Sequence, residues 1–416
     1  MLRISFIRNK FPLKQLKPLQ FRPLQLQSIR YNSKMSGEEN LLLIPGPIVI
    51  SERVRQAQAI QSLAHTSPEF ISIFQKVLVD LRKLFKSSNP KDQGLVIAGS
   101  GTLGWDITAS NLIYPGEDVL VLSTGFFSDS FAECLKVYGA NVDILTAKPG
   151  EVVPFEEIES QLQKKSYKAI TITHVDTSTA VVSDVGKISS IVKSKSPDSL
   201  IIVDGVCSVG VEDIEFSKWG LDYVLSASQK AIGVPSGLSI SFISERAITK
   251  ALNRPTQSTF FASLVKWLPI VQNYEAGKPS YFATPAIQTV NALKASLEEI
   301  LESSLDQRFA KHHETSSKFK KNLESIGLKL VSTSEEVSAN GLTAVYYPEG
   351  IKGSDLLPLI YKKGIVLAGG IHKDIKDQYF RIGHMGVSAL DDSRGDTDKA
   401  FKVIKESLEE LGYKSK

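Results

Sequence analysis

The sequence contains few cysteines and no long apolar run. Only Cys134 and Cys207 occur among its 416 residues, too few for a disulfide framework or a cysteine-rich zinc site. The six histidines form no HExxH-like pair, so we predict no metal centre. No uninterrupted apolar stretch approaches the length needed to cross a bilayer. We therefore expect an intracellular protein from a reducing compartment, without a membrane-spanning segment.

Acidic residues are missing from the first 34 residues, which contain eight Lys and Arg. A cationic, partly apolar leader without acids is typical of a mitochondrial transit peptide, so residues 1–34 are predicted to be a cleavable targeting segment. A disordered basic tail is the other interpretation. A second start at Met35 would give a cytosolic form. Beyond the leader, acidic residues outnumber basic ones by four, which gives no support for nucleic-acid binding.

Short apolar runs alternate with helical patterns through the first two thirds of the chain. Apolar residues at helical spacing behind a Ser-Pro start predict an amphipathic helix over residues 67–85. Strand-like runs follow at residues 95–98, 119–122, 142–145, 169–173 and 200–203. This alternation predicts an α/β fold with a large, mainly parallel sheet sandwiched by helices.

A second region begins near residue 301 with a charged helical stretch. Strand candidates then occur at residues 343–347, 365–368 and 379–382, and a final helix is expected over residues 397–411. We therefore predict a large domain with an N-terminal arm over residues 41–300, and a smaller α+β domain over residues 301–416.

The ends of the predicted strands carry the candidate functional residues, since ligands of parallel sheets collect at the carboxyl ends of strands. Gly99-Ser-Gly-Thr-Leu-Gly104 matches the GxGxxG pattern of dinucleotide sites. However, the next strand ends in Ser123-Thr124 and not in the acid that would hold a ribose. A loop rich in glycine and hydroxyls before a helix suits a single phosphate equally well. A tight turn without a ligand is a further interpretation.

Two charged residues follow buried strand patterns. Asp204 ends the most hydrophobic run, where burial would raise its pKa unless a cation such as a protonated pyridine nitrogen kept it ionised. Lys230 follows a stretch of small residues, where a lysine shielded from water can act as an amine nucleophile. Asp204 could instead cap a turn, and Lys230 could lie on the surface. Their order along the chain, with a phosphate loop and an aromatic loop, favours a site for a pyridoxal ring.

Five motifs in this order resemble those of class V, fold-type-I aminotransferases. They are Pro45-Gly-Pro47, Ala98-Gly-Ser-Gly-Thr102, Val203-Asp-Gly-Val-Cys-Ser208, Ser226-Ala-Ser-Gln-Lys230 and Phe380-Arg-Ile-Gly383. The similarity spans about residue 41 to the end and is greatest to the alanine:glyoxylate and serine:pyruvate group. It implies the fold-type-I architecture and pyridoxal 5′-phosphate as the cofactor.

The resemblance also implies a role for each matched residue. Lys230 would form the Schiff base with the cofactor and later move a proton at the substrate, while Asp204 would stabilise the protonated ring nitrogen. Gly46 would border a small substrate, and Arg381 would bind its carboxylate in a bidentate pair. The other cofactor residues implied are Ser100, Gly101, Thr102 and Gln229 at the phosphate, Phe127 and Thr177 at the ring, and Tyr281 and Thr284 at the neighbouring subunit's phosphate. The last two imply a homodimer with shared active sites.

The implied reaction is transfer of the amino group of alanine to glyoxylate, which gives pyruvate and glycine. Serine or a kynurenine-type donor is an alternative, whereas a dicarboxylate donor is disfavoured because only one candidate carboxylate-binding arginine is visible. Cysteine desulfuration, a different class on the same fold, would need a cysteine late in the chain, and none follows Cys207. A nicotinamide-dependent oxidoreductase is disfavoured by the missing ribose acid.

Overall fold

A computed structural model describes residues 40–414 of the chain. The predicted targeting segment, residues 1–34, and the alternative start at Met35 lie outside the described residues. No helix within residues 40–414 is long and apolar enough to span a membrane.

The strands of the described chain bear out the predicted runs and add others. Their bounds are β1 Leu41–Leu42, β2 Gln93–Ala98, β3 Asp118–Ser123, β4 Asn141–Thr146, β5 Ala169–Thr173, β6 Val175–Asp176, β7 Val181–Val182, β8 Leu200–Asp204, β9 Tyr223–Ala227, β10 Leu238–Ile243, β11 Leu342–Tyr346, β12 Ile365–Val366, β13 Ala368–Gly369 and β14 Tyr379–Gly383. The run predicted over residues 365–368 is split between β12 and β13.

Helices pack around these strands. Their bounds are α1 Glu52–Gln58, α2 Pro68–Leu84, α3 Gly101–Ile107, α4 Phe126–Val137, α5 Phe155–Lys164, α6 Val185–Lys195, α7 Phe216–Trp219, α8 Glu245–Leu252, α9 Leu264–Glu275, α10 Ile287–Glu302, α11 Leu305–Ser325, α12 Gly353–Lys362, α13 Val387–Leu390 and α14 Asp396–Glu410. A π-helical turn, Thr108–Leu112, continues α3, and a 3₁₀ turn spans Asp392–Arg394.

The predicted helix over residues 67–85 is confirmed as α2. The Ser67 hydroxyl accepts a hydrogen bond from Phe70 N, and Pro68 occupies the first turn, where its missing N–H costs nothing. Its apolar stripe is buried, including Phe70, Phe74 and Leu81. The helix therefore covers the sheet with the face that the sequence indicates.

The main sheet within residues 40–414 has seven strands in the order β2-β10-β9-β8-β5-β3-β4. β10 is antiparallel to both of its neighbours, and the other strands run parallel to one another. The prediction of a mainly parallel sheet is therefore confirmed. Because parallel strands end at one edge, the segments after β2, β3, β5, β8 and β9 meet there. In the register of the sheet, Asp204 lies opposite Thr173 on β5 and Leu225 on β9.

A smaller sheet, in the order β11-β14-β13, forms in the C-terminal part of the chain. A separate apolar cluster packs there, built mainly from α11, α12, α14 and β14. The N-terminal strand β1 pairs in parallel with β12, and Leu43 is buried in the same cluster. The first described residues therefore pack against the C-terminal part of the chain, and the residues after them reach the main sheet. The division into residues 41–300 and 301–416 stays a prediction.

Candidate active site

A cavity of about 140 Å³ opens at the carboxyl edge of the main sheet. Eight of the residues assigned from the motifs line it: Ser100, Gly101, Thr102, Phe127, Thr177, Asp204, Gln229 and Lys230. They come from five separate segments of the chain. The topology of the sheet therefore brings together residues that lie up to 130 positions apart.

The glycine-rich loop between β2 and α3 forms one side of the cavity. Ser100 precedes the first helical residue, and in the described chain its hydroxyl makes no capping bond, which leaves it available to a ligand. Gly101 is buried, and a Cβ there would lie 2.8 Å from Val206 Cγ2. The close approach of the two loops thus requires glycine at this position. Ser100 and Thr102 are exposed at the mouth.

Lys230 lies on the opposite side, in the turn that follows β9. Its Nζ donates a hydrogen bond to Pro45 O at 2.6 Å, and its carbonyl accepts one from Gly233 N at 2.7 Å. Ile48 N also donates to Gln229 O at 3.1 Å. The N-terminal segment therefore crosses directly over the lysine, which is half-buried and not a free surface residue.

Asp204 forms the floor of the cavity at the end of β8 and is 4% exposed. Its Oδ2 accepts from Trp105 Nε1 at 2.8 Å, and its Oδ1 accepts from Val206 N at 3.0 Å. Burial raises the pKa of Asp204 to about 6, although these two donors oppose the rise. The carboxyl is therefore placed where a cation bound beside it would restore its charge.

The aromatic loop after β3 and the loop after β5 are joined by Asp176. This buried carboxylate accepts from Ser178 N at 2.9 Å and from Ser128 Oγ at 3.2 Å. It thereby links Thr177 to the start of α4, where half-buried Phe127 faces the cavity. A Cβ at Gly125 would lie 2.8 Å from the Asp176 carboxyl, so the loop closes tightly only with glycine there.

Arg381 lies on β14, next to the cavity rather than in its wall. Its Nη1 donates to Thr177 O at 3.2 Å and its Nε to Gly369 O at 2.8 Å. Burial lowers the pKa of the guanidinium, and Tyr379, Cys207 and Asp176 partly oppose this lowering. Within residues 40–414 it has no carboxylate partner within 4 Å, so an anionic substrate would be its first ion pair.

The other three assigned residues differ in their placement. A Cβ at Gly46 would lie 2.6 Å from Lys230 Nζ, so Gly46 packs on the lysine itself. Tyr281 and Thr284 are exposed, and their hydroxyl oxygens lie 3.5 Å apart. Neither lines the cavity formed by the described part of one chain. This placement leaves both available to a neighbouring molecule.

Sequence reasoning missed Trp105, Asp176 and Cys207, which surround the acid and the lysine. Trp105 and Cys207 line the cavity, and Asp176 accepts hydrogen bonds from the two loops that carry Phe127 and Thr177. A signal for Trp105 existed, because it follows Gly101 by four residues and so shares its helical face. The polar sequence around Asp176 offered no comparable signal.

A mainly parallel α/β sheet with a lysine, a buried acid and a hydroxyl-rich loop at its carboxyl edge defines a fold-type-I transferase architecture. The family model for class-V aminotransferases matches residues 52–379. The chain belongs to this family, whose enzymes depend on pyridoxal phosphate, and is an aminotransferase.

Individual relatives agree with this assignment. The chain is 50% identical over 386 residues to alanine–glyoxylate aminotransferase 1 of Saccharomyces cerevisiae, covering 90% of this chain and 99% of the yeast protein. It is 29% identical to the serine–glyoxylate aminotransferase of Arabidopsis thaliana, with 83% and 85% covered. The crystal structure of an alanine–glyoxylate aminotransferase from Nostoc superposes with a TM-score of 0.82 at 26% identity, covering 94% of this chain and 98% of that one.

Proposed function

We propose that this enzyme transfers the amino group of alanine to glyoxylate, giving pyruvate and glycine. The observation that carries the proposal is the 50% identity, over nearly the whole length of both chains, to the yeast alanine–glyoxylate enzyme. The site agrees with a small monocarboxylic donor, because the cavity is small and Arg381 is the one arginine that the motifs assign to it. The glycine formed would make the reaction a route of glycine synthesis.

The residues present fit pyridoxal 5′-phosphate. Ser100 and Thr102 carry exposed hydroxyls at the mouth of the cavity, and Gly101 between them also lines it. The Oε1 atom of Gln229 is buried and has no hydrogen-bond partner among the described residues, which is costly unless a ligand completes the site. Ser100, Gly101, Thr102 and Gln229 would thus hold the phosphate, and Phe127 and Thr177 would contact the ring.

The chemistry follows from which groups face the cavity. When bound, pyridoxal phosphate supplies an electron sink that stabilises negative charge at the donor Cα. Lys230 would carry the covalent link and then act as the base that moves the Cα proton. Asp204 would hold the ring nitrogen in its protonated form by ion pairing. Arg381 would bind the donor carboxylate with its planar fork and so orient the Cα–H bond towards Lys230.

Serine is the second candidate donor, and the similarity to a serine–glyoxylate aminotransferase favours it. A kynurenine-type donor is a further alternative. Initial rates with alanine, serine, glutamate and kynurenine, each against glyoxylate and pyruvate, distinguish these activities. We expect the highest kcat/KM for alanine with glyoxylate. A preference for glutamate would contradict the proposal, because it requires a second cationic group for the side-chain carboxylate.

We also propose a homodimer that shares its active sites through Tyr281 and Thr284. The exposure of both residues supports this, as does an exposed aromatic patch that consists of Phe260, Phe261 and Tyr281 itself. Half-buried Phe282 joins the patch, with its ring centroid 5.6 Å from that of Phe260. Large exposed aromatic groups of this kind are typical of protein interfaces.

We further propose that residues 1–34 direct the enzyme to mitochondria, with a cytosolic form that starts at Met35. The basic composition of the leader and its lack of acids support this. Fluorescent fusions of the full chain and of a chain that starts at Met35 test it. We expect the first in mitochondria and the second in the cytosol. Mitochondrial import of the shorter chain would contradict the targeting role.

A further inference from the structure

Within residues 40–414, Trp105 is the one tryptophan whose indole N–H donates a hydrogen bond to Asp204. We propose that it is a positioning residue, whose N–H holds the Asp204 carboxylate oriented and ionised for the cofactor's ring nitrogen. This inference rests on the proposed function, since it takes Asp204 as the partner of that nitrogen. It assigns Trp105 an electrostatic role in addition to its packing.

The geometry shows one donor for each carboxylate oxygen. Trp105 Nε1 lies 2.8 Å from Oδ2, and Val206 N lies 3.0 Å from Oδ1. A carboxylate oxygen has two acceptor positions, so each keeps one for a further donor. Because the two bonds reach different oxygens, together they restrict rotation of the carboxylate. A side chain preset in this way loses little entropy when the cofactor binds.

The indole itself is held in place by its packing. Trp105 is 8% exposed and stacks on Phe131, with ring centroids 5.6 Å apart and planes inclined by 13°. Phe127 lies on another side at 6.5 Å. The donor is therefore part of the same aromatic group that borders the ring site, and it cannot swing away without disturbing that group.

The other charged groups around Asp204 explain why a neutral donor matters. Asp176 raises the pKa of Asp204, as burial does, while Lys230 lowers it. The lysine's influence changes once its amine is bound covalently. The hydrogen bonds from Trp105 and Val206 also lower the pKa of Asp204 and so favour its ionised form. Without the indole N–H, the pKa of Asp204 is expected to rise further.

The first experiment measures the affinity of the full-length apoprotein for pyridoxal 5′-phosphate. Trp105→Phe keeps an aromatic ring but removes the N–H. We expect affinity to fall at least about tenfold, the lower end of the loss for a hydrogen bond to a charged group. The fall in affinity on acidification should also begin at a higher pH, because Asp204 would be protonated sooner. Trp219→Phe is the matched control, since its indole donates no hydrogen bond in the described chain.

A double-mutant cycle with Asp204→Asn separates this inference from the function on which it rests. If Trp105 acts through the carboxylate, its replacement should have much less effect once Asp204 is neutral. Unchanged affinity in Asp204→Asn alone would mean that the assignment of Asp204 itself is wrong. If Asp204→Asn weakens binding but Trp105→Phe behaves like Trp219→Phe, or its effect simply adds, the positioning role is overturned.

A measurement on the unsubstituted chain does not depend on how the variants fold. In apoprotein labelled with ¹⁵N at the indoles, the Trp105 N–H resonance should move with pH around a midpoint near 6, the pKa of Asp204. The Trp219 and Trp267 resonances should not follow that midpoint. A Trp105 resonance that does not respond to pH would contradict the inference.

Discussion

At the residue scale, Arg381 joins two parts of the site, because it donates to Thr177 O and to Gly369 O. Arg381→Lys keeps the charge but loses the planar fork. We expect KM to rise about 30-fold for every amino donor, equivalent to roughly 2 kcal/mol for a lost bidentate pair. Arg254→Lys is the control, because Arg254 is also buried and donates to two backbone carbonyls, Ile113 O and Thr256 O. Equal KM values for both variants would show that another residue binds the carboxylate.

The raised pKa of Asp204 gives a second residue-scale prediction. The folded apoprotein holds this proton up to about pH 6, whereas the unfolded chain releases it near 3.8. The resulting stabilisation is complete below pH 3.8 and is lost as the pH rises through 6. Apoprotein should therefore lose up to about 3 kcal/mol of unfolding free energy relative to Asp204→Asn between pH 4 and 7.5. Urea denaturation measures this, and parallel pH profiles would contradict it.

Sequence patterns predicted which residues line the cavity, but not the hydrogen bonds that these residues make. Ser100 and Lys230 follow strands and Asp204 ends one, so a parallel sheet brings these motif residues to one edge. The hydrogen bond from Trp105 to Asp204 could not be predicted, because it depends on a side-chain rotamer and on the spacing between α3 and β8. The motifs predicted that Arg381 binds the substrate carboxylate. They could not show that Arg381 lies beside the cavity and not in its wall, because that position depends on how β14 packs.

At the element scale, the N-terminal segment of residues 43–48 lies across the turn that contains Lys230 and is hydrogen-bonded at both ends. Gly383 N donates to Leu43 O at 2.8 Å, and Ile48 N donates to Gln229 O at 3.1 Å. The segment thereby joins the strand of Arg381 to the turn of Lys230. Gly46 lies at its centre with a φ of +121°, a conformation that favours glycine.

Gly46→Ala should therefore lower the activity that depends on Lys230 more than it lowers the stability of the fold. The added methyl group would lie 2.6 Å from Lys230 Nζ, so the amine must move. We expect kcat to fall at least tenfold, since small displacements of a catalytic group are costly. Gly116→Ala is the control, because Gly116 has a φ of +82° and open space around its Cβ. Its φ is also positive, so alanine is strained there too. Equal kcat values in the two variants would disprove close contact with Lys230.

The periodicity of apolar residues predicted the helices and strands that are long or uniformly apolar. It did not predict how strands pair or in which direction they run. α2 and β8 match their patterns within a few residues. The antiparallel direction of β10 and the pairing of β1 with β12 were not predicted. Strand direction depends on the connection, and β1 has only two residues, so neither leaves a periodic signal.

At the scale of the whole molecule, the proposal of a homodimer depends on the exposed aromatic patch. Phe260 is 70% exposed, and its ring lies beneath the Lys266 ammonium. Phe260→Asp would bury a charge in an apolar interface, so we expect the dimer dissociation constant to rise at least tenfold. Affinity for pyridoxal phosphate should fall with it, because Tyr281 and Thr284 would leave the neighbouring site.

Analytical ultracentrifugation measures the dissociation constant. Tyr361→Asp is the control, because Tyr361 is also exposed but lies on α12, outside the patch. If Phe260→Asp leaves the dimer and the cofactor affinity as they are in the unchanged enzyme, the patch does not form the interface.

A covalent link between Lys230 and the cofactor, opposite Asp204 in one cavity, is central to the proposed function. Borohydride reduction of the native enzyme, followed by proteolysis and mass spectrometry, tests this link most directly. We expect the reduced pyridoxyl group on the peptide that contains Lys230, and no labelled peptide from Lys230→Ala. A label on another lysine, or an unlabelled Lys230 in active enzyme, would contradict the assignment.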